Sequence, residues 1–335
     1  MGRAKYQKAI EFLLFFGVRA SQSSLMGNDE LMAYRLEPGE AVPDGLRRAA
    51  REQLDQAVDE LSTRVSDDPV EAVHEARKSL KKARSLLRLG RGTLDPAERR
   101  RENAALRDAG RRLSAARDAE VMLEATDELA ERFAGRVPQA TFDAIRRHLV
   151  AERDPGRRRL LESGLTGQVA EELKAVRSRV ESWSLHRDGW KALEPGLQRS
   201  YSRGRAALRH AQSRPTVENL HDWRKRTKDL WYQLRLLKSF APGIVGGAVK
   251  DADKLSKLLG DDHDLAVLHE ELERGAGDLK VDVDAVLALI DHRREELQAE
   301  AVPLGQQLYA ERPKDFVARM HRYWQASRPE AVSRA

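Results

Sequence analysis

Two stretches of the sequence share one helical pattern: residues 73–89 read VHEARKSLKKARSLLRL, and residues 220–236 read LHDWRKRTKDLWYQLRL. Both begin apolar-His-acid-x-Arg-Lys-x-x-Lys, and matched positions are separated by 147 residues. Wound as a helix, each stretch carries apolar side chains on one side and cations on the other. The repetition predicts that the chain is an internal duplication of a helical unit.

The remainder of the chain has the composition and spacing of helices. Of its 335 residues, 34% are charged and only 5% are aromatic, a mixture that favours helix over strand. Apolar residues recur three and four positions apart, which predicts an all-α fold of bundles joined by short loops. We expect helix breaks at Gly and Pro, among them Pro195–Gly196, Gly260–Asp262 and Pro303.

The duplication divides the chain into parts of different character. Residues 1–37 are expected to be a partly flexible N-terminal extension, followed by the repeated helical domain at 38–328. Within that domain we place a first repeat at about 38–136, an added helical segment at about 137–190 and a second repeat at about 191–328. The added segment has no evident counterpart inside the first repeat.

Positive charge is concentrated on the two matched helices. Residues 74–91 carry a net charge of +6 and residues 221–238 carry +4, whereas the whole chain carries +6. Exposed helix faces usually mix acids with bases four residues apart, and acids are scarce here. The side chains on these faces, called here the basic stripes, are His74, Arg77, Lys78, Lys81, Ser85 and Arg88, and His221, Arg224, Lys225, Lys228, Tyr232 and Arg235. Because like charges at this density repel unless neutralised, the basic stripes indicate binding of an extended anion.

Several classes of protein are excluded or disfavoured by composition. The chain has no cysteine, which excludes disulfide scaffolds, zinc fingers, iron–sulfur centres and cysteine nucleophiles. Its most apolar N-terminal stretch, residues 9–18, carries Glu11 and falls short of the roughly 20 apolar residues of a spanning helix. We expect a cytoplasmic protein without a metal site or cofactor.

The paired motif helices resemble those of the CHAD family, the conserved histidine α-helical domain, over residues 38–328. The resemblance implies two pseudo-symmetric four-helix bundles with a basic central channel, and binding of inorganic polyphosphate through the His, Arg and Lys members of the basic stripes. We add nearby residues as further candidates for that binding: Lys82, Arg84, Arg111, Arg117, Tyr201, Arg205, Lys254 and Lys257. The second repeat departs from the first, because Trp231 replaces Arg84 and His263 replaces Arg117.

Three other functions stay open at this point. Basic helices also bind nucleic-acid backbones, although the stripes offer no Asn or Gln placed to read bases, so we expect no sequence-specific nucleic-acid partner. A polyphosphate hydrolase would need carboxylates to hold Mg²⁺, and the best acidic cluster, 261–264, is expected at a loop and helix start. The charged helices at about 138–182 could serve as a scaffold arm. Association with polyphosphate granules, without membrane binding, is a further expectation.

Overall fold

The computed structural model describes residues 34–114, 118–279 and 281–328, without side chains for 118–119, 152–162 and 276–278. These residues form eleven α-helices and no strand, which confirms the predicted all-α fold. The helices are α1 Val42–Ser62, α2 Pro69–Leu89, α3 Pro96–Arg112, α4 Asp118–Arg132, α5 Gln139–Glu162, α6 Leu165–Val180, α7 Trp190–Ser213, α8 Val217–Leu237, α9 Pro242–Leu279, α10 Asp284–Leu308 and α11 Pro313–Ala326. None of them is both long enough and apolar enough to cross a membrane.

The two helices that carry the basic stripes, α2 and α8, begin at side-chain caps. The Asp68 carboxylate accepts hydrogen bonds from the backbone N–H groups of Val70 and Glu71, ahead of Pro69 in the first turn of α2. The Thr216 hydroxyl accepts from the N–H of Asn219 at the start of α8. These caps satisfy backbone donors that have no partner inside the helix. The caps determine the residue at which each helix begins.

Helix bounds recur along the chain at an offset close to 147 residues. Thus α1 corresponds to α7 and α2 to α8, while α3 and α4 together correspond to the single long helix α9. The expected added segment at 137–190 contains α5 and α6, whose bounds correspond to those of α10 and α11. The bounds therefore favour placing α5 and α6 in the first repeat. The duplication itself stays a prediction.

Three expected helix breaks are absent, because α7, α9 and α10 run through Pro195–Gly196, Gly260–Asp262 and Pro303. Pro195 lacks an N–H and so cannot bond the Lys191 carbonyl four residues earlier. That carbonyl lies beside Gly92 from the end of α2, so tertiary packing holds the helix at this point. The local preference for a break is overridden by packing.

The helices α2 and α8 lie at the centre of the packing. Helix α1 packs against α2 and α6, and α3 closes this group of four by contacting α2 and α6. Helix α8 packs against α7 and α9, and α7 also contacts α11. Helices α4 and α5 pack against α9, which in turn packs against α10. Because α2 and α8 also touch each other, their orientation positions both basic stripes.

The described part of the expected N-terminal extension, residues 34–37, is packed into this core. Tyr34 is only 1% exposed, and its hydroxyl donates to the Lys82 carbonyl at 2.8 Å. The N–H of Leu36 donates to the Leu236 carbonyl at 2.9 Å, which ties the segment to α8 as well. The expectation of flexibility for residues 1–33 lies outside the described residues.

Candidate anion-binding site

The two basic stripes meet in their C-terminal halves, where α2 crosses α8. The Ser85 hydroxyl donates to the Asp229 carbonyl at 2.9 Å, and the Gln233 amide nitrogen lies 3.4 Å from the Ser85 carbonyl. Ser85 and Tyr232, which the helical pattern assigned to the cationic faces, are both buried. Ser85 is buried because contact between α2 and α8 uses part of that face, whereas the Tyr232 ring packs edge-on against the Tyr34 ring. The stripes are therefore accessible mainly in their N-terminal halves.

In the first stripe, the accessible cations lie beside the C-terminal end of α3. The Arg77 guanidinium donates to the Ser114 carbonyl at 3.2 Å and lies 3.5 Å from the Leu113 carbonyl. These carbonyls follow the last turn of α3, where a cation complements the helix dipole. The Lys78 ammonium lies 3.1 Å from Glu75, which is also 3.6 Å from the ring of His74. Lys81 is exposed on the next turn.

In the second stripe, Arg224 lies against α9, whereas the two lysines have neighbours on α8 itself. The Arg224 guanidinium packs against Gly260, where an added Cβ would lie in ordinary van der Waals contact with it at 3.5 Å. Lys225 is half exposed, 3.8 Å from Asp222. The Lys228 ammonium lies 4.9 Å from the centre of the Trp231 ring, within cation–π range.

The motif histidine of the second stripe, His221, packs against another histidine. The ring of His221 stacks on that of His263 with centroids 4.3 Å apart. Burial, followed by repulsion from His263, Lys225 and Arg224, lowers the pKa of His221 to about 4. His221 is therefore neutral at pH 7, and we expect it to contribute a hydrogen-bonding group to the stripe without adding a charge.

Three candidate residues are buried in the structure, so they are less accessible to an anion than the helical pattern predicts. Lys82 is 1% exposed, with its ammonium 5.9 Å from the centre of the Tyr34 ring. Arg235 is 6% exposed and lies 5.1 Å from the ring centre of Trp231. Tyr201 belongs to the core, where it stacks on Phe316 at 4.0 Å and donates to the Leu308 carbonyl. Helical periodicity alone could not reveal that residue 34 covers Lys82 and Arg235.

The remaining candidates are spread over several helices. Arg84 is half-buried between α2 and α3, where its Nε donates to Asn103 at 3.3 Å. Arg205 donates to the Tyr309 carbonyl, Lys257 pairs with Asp253 at 3.2 Å, and Lys254 is exposed. Arg111 is exposed 3.9 Å from Asp108. Arg117 lies outside the described residues.

The acidic cluster at 261–264 lies inside α9, which corrects its expected place at a loop and helix start. Asp261 and Asp264 line a cavity of about 440 Å³ together with Glu124 and Glu128 of α4. Burial, followed by repulsion from Glu128 and Asp264, raises the pKa of Asp261 to about 6. Within the described residues, no group of three or more His, Asp or Glu side chains is arranged to hold a metal ion.

Helical periodicity identified only Arg88 among a group of arginines that the fold brings together at the end of α2. They line a cavity of about 220 Å³, called here the arginine pocket, between the C-terminal end of α2 and helices α3, α7 and α8. Its arginines are Arg88, Arg91, Arg99, Arg199, Arg203 and Arg226, accompanied by Asp229 and Asn103. The available signal was the spacing of Arg199 and Arg203, which places both on one face of α7.

The fold and these cationic surfaces define an all-α protein whose two central, related helices carry clustered Arg and Lys. The family model of the CHAD domain matches residues 48–273, about two thirds of the chain. The chain belongs to the CHAD domain family.

Two solved structures share the fold. PptA from Streptomyces chartreusis is 18% identical with a TM-score of 0.59, covering 81% of this chain and 100% of its own. The CHAD domain from the plant Ricinus communis is also 18% identical, with a TM-score of 0.51, covering 87% of this chain and 94% of its own. A comparison with curated proteins found no significant match.

Proposed function

We propose that this protein binds inorganic polyphosphate without cleaving it, through the accessible N-terminal halves of the two basic stripes. The observation that carries the proposal is the pairing of Arg77, Lys78 and Lys81 on α2 with equivalent cations on α8, in a chain of the CHAD family. The resemblance to that family implies polyphosphate as the anion. Cytoplasmic location and association with polyphosphate granules stay predictions that accompany this function.

Polyphosphate matches the chemistry of the stripes. It is a flexible chain of repeated anions without bases or sugars. Its recognition therefore requires closely spaced cations rather than side chains that hydrogen-bond to the edges of bases. Lysine supplies point charges and arginine supplies forked donors, and both types occur on each stripe. Helices buried along one side hold these cations at fixed spacing, which reduces the entropy lost on binding.

The test is a calorimetric titration of the protein with long-chain polyphosphate at two salt concentrations, with duplex DNA as the comparison anion. We expect tight binding of polyphosphate that weakens as salt increases, because counterions are released, and much weaker binding of DNA. Equal affinity for both anions would reduce the stripes to a nonspecific cationic surface. Release of phosphate from polyphosphate in the presence of Mg²⁺ would contradict the noncatalytic role.

A further inference from the structure

The arginine pocket is created by close contact between the end of α2 and the start of α7. A Cβ at Gly196 would lie 2.1 Å from the Leu89 carbonyl and 2.5 Å from the Arg88 carbonyl. Likewise, a Cβ at Gly92 would lie 2.7 Å from backbone carbonyls of α7. Glycine at both positions lets the two backbones touch. This contact brings the arginines of α2 and α7 to a common cavity.

Most of the positive charge in the pocket has no carboxylate partner. Arg88 pairs with Asp229 at 2.5 Å, and Arg226 pairs with Asp222 at 2.7 Å. The other four arginines, which form no ion pair with any carboxylate in the described part of the chain, are Arg91, Arg99, Arg199 and Arg203. The Nε of Arg99 is buried without a hydrogen-bond partner. Buried donors in folded proteins are usually hydrogen-bonded, and an anion in the pocket would supply an acceptor for this N–H group.

Burial and, after it, repulsion between neighbouring arginines act on the pKa values of Arg91 and Arg203. Burial, followed by repulsion from Arg99 and Arg199, lowers the pKa of Arg91. Burial, followed by repulsion from Arg226 and Arg199, lowers the pKa of Arg203. Such an arrangement stores unfavourable electrostatic energy, which a bound anion would relieve.

The position on α8 that matches Arg88 carries a buried arginine. Arg235 occupies the position 147 residues after Arg88. Its side chain is buried against Trp231 and Tyr34. Within the described residues, Tyr34 therefore covers Arg235, whereas Arg88 lines the arginine pocket.

We propose that the arginine pocket is a separate binding site for the terminal phosphate groups of a linear oligophosphate. Its volume of about 220 Å³ corresponds to roughly seven water molecules at about 30 Å³ each, which suits a short run of phosphates. A terminal phosphate gains a second negative charge near pH 6, which an interior phosphate of the chain lacks. Guanidinium groups converging from several helices provide forked hydrogen bonds to such a group.

The terminal group could belong to a free short oligophosphate or to the end of a polyphosphate chain. The second case rests on the proposed function, because the rest of that chain would lie on the first basic stripe. Arg84 follows Lys81 along α2 and precedes Arg88 of the pocket. Burial, followed by repulsion from Arg88, Arg107 and Arg111, lowers the pKa of Arg84 to about 10.

The test compares the wild type with Arg199→Ser/Arg203→Ser, two exposed side chains outside both motifs. The matched control is Arg64→Ser/Arg146→Ser, which removes the same charge from exposed arginines elsewhere. The probes are linear tripolyphosphate and cyclic trimetaphosphate, which has no chain end. We expect tripolyphosphate to bind the wild type and the control with similar affinity, at least tenfold more tightly than it binds the pocket variant. Trimetaphosphate should bind weakly to all three.

Two further comparisons complete the experiment. A second pocket variant, Arg91→Ser/Arg99→Ser, should show the same loss of tripolyphosphate binding, and it replaces the first variant if that one does not fold. Thermal melts monitor the folding of every variant. Long-chain polyphosphate is also compared with the same polymer whose ends are blocked as phosphoramidates. Weaker binding of the blocked polymer to the wild type would show that the pocket takes chain ends. Equal binding of the two polymers would assign the pocket to free oligophosphates.

The outcomes separate this proposal from the proposed function. Equal tripolyphosphate affinity in the pocket variant and the control overturns the pocket, even if long-chain polyphosphate binds well. Equal affinity for tripolyphosphate and trimetaphosphate overturns the preference for a terminal group. Loss of tripolyphosphate binding in the pocket variant supports the pocket, even if long-chain polyphosphate does not bind and the proposed function fails.

Discussion

Asp229 organises the cations around it. Its carboxylate is 2.5 Å from Arg88 of α2, and its backbone carbonyl accepts from Ser85 of the same helix. A half-buried carboxylate among several arginines holds them at fixed positions while neutralising only part of their charge. The remaining charge is available to an anion. The carboxylate thus contributes to the geometry of the arginine pocket and to the contact between α2 and α8.

At the residue scale, His221 should make stability depend on pH. Its pKa of about 4 in the folded protein lies below the usual value for histidine, so below about pH 6.5 the unfolded chain takes up a proton that the folded protein does not. Stability should therefore fall as pH falls from 7 to 5, by about 1 kcal/mol after allowance for partial exposure. Asp222 acts in the opposite sense to Arg224, Lys225 and His263.

Chemical denaturation at pH 7 and pH 5 measures this effect. The variant His221→Gln should lose less stability on acidification than the wild type, whereas His186→Gln, at an exposed histidine, should match the wild type. An identical pH dependence in His221→Gln and the wild type would show that the burial and the cationic neighbours of His221 have no energetic consequence.

At the scale of elements, contact between α2 and α7 depends on Gly196. The change Gly196→Ala places a methyl group 2.1 Å from the Leu89 carbonyl, so the helices must separate. We expect the free energy of unfolding to fall by about 1–3 kcal/mol, the usual cost of overpacking. We also expect tripolyphosphate to bind less tightly, because the arginines of α2 and α7 move apart.

The control is Gly247→Ala in α9, where nothing lies within 4 Å of the new methyl group. Alanine is the better helix former, so this variant should be more stable by about 0.5–1 kcal/mol. Equal stability of Gly196→Ala and the wild type in urea denaturation would mean that the helices have freedom to adjust, contrary to our account of the contact.

Sequence periodicity predicted the elements more completely than their contacts. The alternation of apolar and cationic positions located α2 and α8, because burial of one face of a helix leaves a periodic trace. It could not show that Ser85 lies at the crossing or that Tyr232 packs against Tyr34, since such contacts depend on tertiary packing. Likewise, Arg99 and Arg199 are 100 positions apart in sequence, and only the fold makes them neighbours.

At the scale of the whole molecule, charge is distributed unevenly over a chain with a net charge of only +6. Cations gather at the stripes and the arginine pocket, whereas Glu124, Glu128, Asp261 and Asp264 gather at the cavity beside α4. Opposite potentials on separate surfaces orient an approaching anion towards the cationic side. Association should therefore be faster at low salt.

The most direct test of polyphosphate binding by the stripes is calorimetric titration of the variant Lys81→Ser/Lys225→Ser with long-chain polyphosphate over a range of salt concentrations. Both side chains are exposed, and Lys174→Ser/Lys314→Ser removes the same charge from exposed positions outside the stripes. We predict at least tenfold weaker binding by the stripe variant, with a salt dependence shallower by about one ion per lysine, and near wild-type binding by the control. Equal affinities for the stripe variant and the control would contradict the account.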